Sequence, residues 1–121
     1  PCGSGLPALY RKFHLEDGGV FTLQEYISTH CMHPITMDDL CKVVPVSAQH
    51  ICRIFKEALG VRPTEYINQV RIELACSLLL YSHLSVKEVG EKCGFQNTNY
   101  FCKKFKQFEH VTPLEYRNSV I

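Results

Sequence analysis

The chain has 121 residues, 45% of them hydrophobic, and a formal charge of +1 from 13 basic and 12 acidic side chains. That is enough apolar material for one core, or for two small lobes sharing a helix, and too little net charge to bind nucleic acid by bulk electrostatics alone. No apolar run reaches the roughly 18 residues of a membrane span, and the opening Pro-Cys-Gly-Ser-Gly-Leu-Pro is no signal peptide, so neither targeting segment nor membrane partner is expected.

Along the chain, residues 1–20 read as a linker or cloning remnant, on their glycines, prolines and the Gly18-Gly19 pair. A first helix is expected from Leu23 to Cys31, with Leu23, Tyr26, Ile27 and His30 on its inner side. Thr36 opens a short helix. Pro45 holds Val44 in extended geometry, and Ser47 caps the next helix. There Ile51, Ile54, Phe55 and Leu59 form a buried stripe, while Gln49, His50, Arg53 and Lys56 face outward. Pro63 suits the first position of a long helix running to about Ser82, with an apolar stripe of Ile67, Val70, Leu74, Leu78 and Tyr81. Ser85-Val86-Lys87-Glu88 is a capping box that starts a two-turn helix ending at Gly94, and Asn97 caps another. In this last helix Tyr100, Phe101, Phe105 and Phe108 recur at helical spacing, leaving Thr98, Asn99, Lys103 and Lys106 on the opposite face.

The sequence repeats itself at an offset of fifty residues: Cys52-Arg53 returns as Cys102-Lys103, and Phe55-Lys56 as Phe105-Lys106. Val61, Pro63, Glu65 and Tyr66 return as Val111, Pro113, Glu115 and Tyr116. Upstream the offset is forty-nine, since Thr36 answers Ser85, Leu40 answers Val89 and Val46 answers Phe95. Each copy reads as two short helices at an angle, which divides the chain into a linker (1–20), a first helix-turn-helix subdomain (21–61), a linking helix (62–82) and a second subdomain (83–121).

The stretch VGEKCGFQNTNYFCKKFKQFEHVTPLEYR, Val89 to Arg117, resembles the second helix-turn-helix of the AraC/XylS family of transcription regulators, and the likeness extends from about Thr22 to Ser119. The resemblance implies an all-α, seven-helix, homeodomain-like fold whose two recognition helices enter successive major-groove segments of promoter DNA. It further implies the DNA-binding part of a bacterial regulator, an activator, with RNA polymerase as a further partner and an effector or dimerisation domain outside this chain. The departures are local. Pro45 stands where a small polar residue or glycine is usual, His110 where glycine ends the recognition helix, Arg62 where a capping hydroxyl is usual, and Gly90 where alanine is usual. His110 is therefore expected at positive φ, and Gly90 is expected to cost helix stability.

Candidate DNA-binding residues are Ser47, Ala48, Gln49, His50, Arg53 and Lys56 in the first copy, and Asn97, Thr98, Asn99, Tyr100, Lys103, Lys104 and Lys106 in the second. Gln49 and Asn99 offer the paired donor and acceptor that adenine takes, and Arg53 can span guanine. The resemblance implies for Tyr100 a groove contact as an alternative to packing, and for Arg71, which resembles a family arginine, either a structural or a phosphate-binding role. Charge is local too: residues 97–107 hold three lysines and no acid.

The seven cysteines are odd in number and lack a Cys-x-x-Cys pair, which points to reduced thiols and a cytoplasmic protein. Cys52, on the first recognition helix, is expected to be buried. His30-Cys31-Met32-His33, with Cys41, contains zinc-ligand types, but adjacent residues of one helix point apart, so no metal and no cofactor are expected. No set of nucleophile, base and oxyanion donor is present, so no enzyme is expected. Two other readings remain: a helical protein-interaction module binding another regulator or the polymerase, and a thiol or metal sensor.

Overall fold

The computed structural model describes residues 19–119; the linker assigned to residues 1–20 lies outside them apart from Gly19 and Val20. The described residues form seven helices: α1 (Val20–His30), α2 (Met37–Val43), α3 (Ala48–Leu59), α4 (Pro63–Tyr81), α5 (Val86–Lys92), α6 (Thr98–Glu109) and α7 (Pro113–Asn118). No strand occurs among the described residues. They fall into two compact units, residues 19–30 with 35–65, and residues 31–34 with 66–119, so the division crosses the first turn of α4.

In the first unit α1, α2 and α3 pack on one another and bury Leu23, Ile27, Leu40, Ile51 and Phe55 completely. The helix starts are local chemistry. The Thr36 hydroxyl accepts from the Asp39 amide while the Asp39 carboxylate accepts from the Thr36 amide, and Ser47 caps α3 by accepting from the His50 amide over 3.1 Å. α1 begins three residues earlier than the periodicity suggests, and its inner side is Val20, Leu23 and Ile27. Tyr26 is only half-buried and His30 is exposed, because the two rings stack on each other with centroids 4.1 Å apart instead of entering the core.

In the second unit Ile72, Ala75 and Leu79 of α4 close over Val89, Cys93, Phe95, Phe101 and Phe105. Phe101 and Phe105 meet edge to face at 5.9 Å, and Tyr116 of α7 meets Phe105 the same way at 5.5 Å. Of the stripe expected on α4, Ile67 is buried, but the rest is rotated off the core. Leu74 and Leu78 lie at the margin of the core, and Tyr81 is 85% exposed, since it follows Leu79 by about 200° around the helix. Size misleads here: the innermost residue of the stretch is the small Ala75.

The boxes of Ser85 with Glu88 and Thr112 with Glu115 are complete, whereas Arg62 leaves only a 3.5 Å contact from its amide to Glu65. His110 ends α6 at φ 70°, as Gly60 ends α3 at φ 76°, and each amide donates to the carbonyl four residues back. Gly90 is not a mere weakness in α5. A Cβ there would stand 2.8 Å from Cδ2 of the buried Phe101, so its bare backbone lets α6 approach.

Candidate nucleic-acid interface

The second helices of the two repeat copies, α3 and α6, have twelve residues each and are held by the same positions of the repeat. Ile51 and Phe55 anchor α3, and their equivalents Phe101 and Phe105 anchor α6, all at zero exposure. Facing away from those anchors, Gln49, Arg53 and Lys56 are exposed on α3, and Asn99, Lys103 and Lys106 at the same places on α6. The fold thus brings six of the candidates onto two matched outward faces. Each face begins at a capped helix N-terminus, whose unsatisfied amides and positive dipole end favour an anion.

The remaining candidates divide by what their side chains already do. Ser47 and Asn97 use their oxygens as caps, Asn97 Oδ1 accepting from the Tyr100 amide over 2.9 Å. Ala48 is exposed and Thr98 half-buried. On α3, Arg53 Nη2 lies 2.6 Å from His50 Nδ1. A guanidinium only donates, so that imidazole nitrogen accepts, and the ring is held against the side chain that could span a guanine. On α6 the equivalent residue, Tyr100, is 45% exposed and tilted against Phe95 at 6.1 Å. Its aromatic neighbours Phe101 and Phe105 are core while Tyr100 is at the surface. Lys104 spreads over the Tyr100 ring, 5.6 Å from its centre, and donates to Gln107 over 3.3 Å, so it flanks the outward face instead of standing on it.

The thiols are sorted by burial. Loss of solvation pushes Cys93 up to about 12 and Cys76 up to about 11, and raises Cys31 and Cys102 as well. Cys52 departs from expectation: it is exposed on α3, between the anchor Ile51 and the outward Arg53. His30 is exposed while Cys31 is buried, and no group of three or more His, Cys, Asp or Glu among the described residues is arranged for a metal. None of the described helices is long and apolar enough to cross a membrane.

Residues 40–119 match the profile of a helix-turn-helix domain. The fold superposes on that of a probable AraC family transcriptional regulator from Rhodopseudomonas palustris with a TM-score of 0.79 and 26% identity, covering 84% of this chain and 96% of that one. The chain belongs to the AraC/XylS family. Relatives include the HTH-type transcriptional regulator YdeC of Bacillus subtilis, 36% identical over 76% of this chain, and the xylose operon regulatory protein of Escherichia coli K12, 33% identical over 86% of it. The chain spans 32% and 26% of their respective lengths, about a third or less.

Within this AraC/XylS domain, sequence reasoning named Arg71, with a structural role as one of two expected, but missed Arg117 and Asn68 as polar side chains that link distant parts of the second unit. Arg71 donates to the carbonyls of Cys31 and His33, and Arg117 donates to those of Leu79 and Ser82 at the end of α4, where helix carbonyls lack partners. Asn68 reaches Tyr100 from α4. The signal in the sequence is weak: an arginine or amide set beside apolar neighbours on a helix that is otherwise inward-facing.

Proposed function

We propose that this domain binds duplex DNA in a sequence-dependent manner and so places a transcription regulator at its promoter, with α3 and α6 as the reading helices. One observation carries the reading: at matched positions of the repeat, two capped helices present Gln49, Arg53 and Lys56, and Asn99, Lys103 and Lys106, away from their cores. Gln49 and Asn99 would read adenine and Arg53 guanine, while Lys56, Lys103 and Lys106 would lie near phosphates. Under this reading no bond is made or broken.

Selection of bound duplexes from a random pool tests it, together with the salt dependence of affinity. Enrichment of a defined sequence, with affinity falling steeply as salt rises, is the expected result. An unenriched pool with salt-insensitive binding to another regulator or to polymerase would overturn it and make the outward faces a protein-docking surface.

A further inference from the structure

Tyr100 lies in the first turn of α6, and its phenol oxygen accepts a hydrogen bond from Asn68 Nδ2 over 3.3 Å. A phenol that accepts from an amide keeps its own proton to give away. Asn68 sits on α4, within the same compact unit, and belongs to neither recognition helix. Lys104 stands over the same ring, its ammonium 5.6 Å from the ring centre, and donates to the Gln107 amide oxygen over 3.3 Å. The ring itself is steadied by Phe95. What the Tyr100–Lys104 pair offers outward is two neighbouring kinds of donor, one phenol O–H and the ammonium protons of Lys104.

The pair stands beside the centre of the same helix face, where Asn99 can both give and accept as adenine requires, and a cation next to a hydroxyl donor suits the oxygens of a phosphodiester, which only accept. We infer that Asn68, Tyr100 and Lys104 form a phosphate clamp at the flank of α6. In it Asn68 is a positioning residue that turns the Tyr100 hydroxyl into an outward donor, and Tyr100 and Lys104 hold one backbone phosphate of bound duplex. The inference rests on the proposed DNA binding and assigns Tyr100 to the backbone, not to a base.

A double-mutant cycle on the intact domain tests it, with a selected site and an arbitrary duplex of equal length as probes. Tyr100→Phe removes only the hydroxyl from an exposed ring, and should weaken binding to both duplexes by the same factor, about tenfold for one hydrogen bond to a charged group. Asn68→Ala should give a similar loss, and should add less than about twofold in the Tyr100→Phe background, because its effect passes through the hydroxyl. Lys104→Gln should lower the salt slope by about one, while Tyr100→Phe leaves it unchanged. Equal thermal midpoints of the variants would show that the fold is intact. Loss on the selected site alone would make Tyr100 a base reader, and an undiminished Asn68→Ala effect in the Phe background would end the positioning role; either result overturns the clamp. A wild-type domain that binds neither duplex would instead remove the proposed function beneath it.

Discussion

The guanidinium of Arg71 donates from Nε to the carbonyl oxygen of Cys31 over 2.8 Å. Its Nη2 donates to the His33 carbonyl over 2.9 Å, its face lies 5.9 Å from the centre of the Phe95 ring, and burial lowers its pKa. Gly94 completes the packing, since a Cβ there would stand 2.5 Å from the same Cys31 oxygen.

Two occupied carbonyls and a ring contact make Arg71 a structural side chain. Arg71→Ala should lower unfolding stability by roughly 2–3 kcal/mol, as two acceptors lose their donor at a half-buried place. Denaturant unfolding measures this, and the salt slope of DNA binding should be unchanged. A slope reduced by about one, with stability intact, would move Arg71 to the phosphate backbone.

The glycine of α5 allows a test in which propensity and packing oppose each other. Alanine is the better helix former by about 1 kcal/mol, yet its methyl at position 90 would meet Phe101 at 2.8 Å, and that ring has no exposed side to move toward. Gly90→Ala should therefore destabilise by roughly 1–3 kcal/mol, the usual cost of overpacking. A rise in melting temperature would show that α5 shifts freely against α6.

The ends of the recognition helices give a reciprocal pair. His110 holds φ 70°, whereas Gly60 holds φ 76° with no neighbouring atom within 4 Å of where a methyl would stand. His110→Gly should stabilise by about 0.5–1 kcal/mol and Gly60→Ala should cost about 1 kcal/mol, both through backbone strain. Thermal melts of the two variants should move in opposite directions; movement in the same direction would refute the strain account.

The capping boxes set a dependence on acid. Asp39, Glu88 and Glu115 all lie below their ordinary values because each carboxylate accepts from the amide of its capping residue, Thr36, Ser85 and Thr112. A depressed folded-state pKa contributes stability that is present above the unfolded value and lost as pH falls through the folded one. Stability should thus decline below about pH 4.5, and the combined Glu88→Gln and Glu115→Gln variant should start lower at pH 7 and decline less on acidification. Parallel pH curves for the two proteins would rule out the boxes as the source.

Lysine placement predicts unequal lobes. Neutralising Lys103 and Lys106 on α6 should flatten the salt slope by about one unit for each phosphate left without its lysine, more than Lys56→Gln alone on α3, where Glu57 stands nearby in sequence. Fluorescence anisotropy over a salt series reads the slopes; equal slopes for all variants would place these lysines off the DNA.

Much of this was legible because it is local. Ser85 and Glu88, Asn97, and the turn at His110 are each specified within a few residues, and the repeat transferred the Gly60 conformation to His110. Of the buried face of α4, only Ile67 was legible. Four large residues, Val70, Leu74, Leu78 and Tyr81, outweighed Ala75 in any reading of periodicity, though it is Ala75 that is fully buried in the core with the aromatic cluster. Among the candidate site residues, the outward lysines and amides followed from helix geometry. Asn68 did not, because its partner lies 32 residues away and neither residue alone suggests the other.

The repeat also separates two kinds of change. Positions 51 and 55, with 101 and 105, are buried and hold each of the two helices in place, while 49, 53 and 56, with 99, 103 and 106, are exposed. If the outward set reads DNA as proposed, substitutions there would alter what one helix discriminates at little thermodynamic cost, and would do so in one copy while the other stays fixed. Under that reading, a protein built this way would drift from one operator to another by half-steps, keeping an unchanged half-site grip throughout.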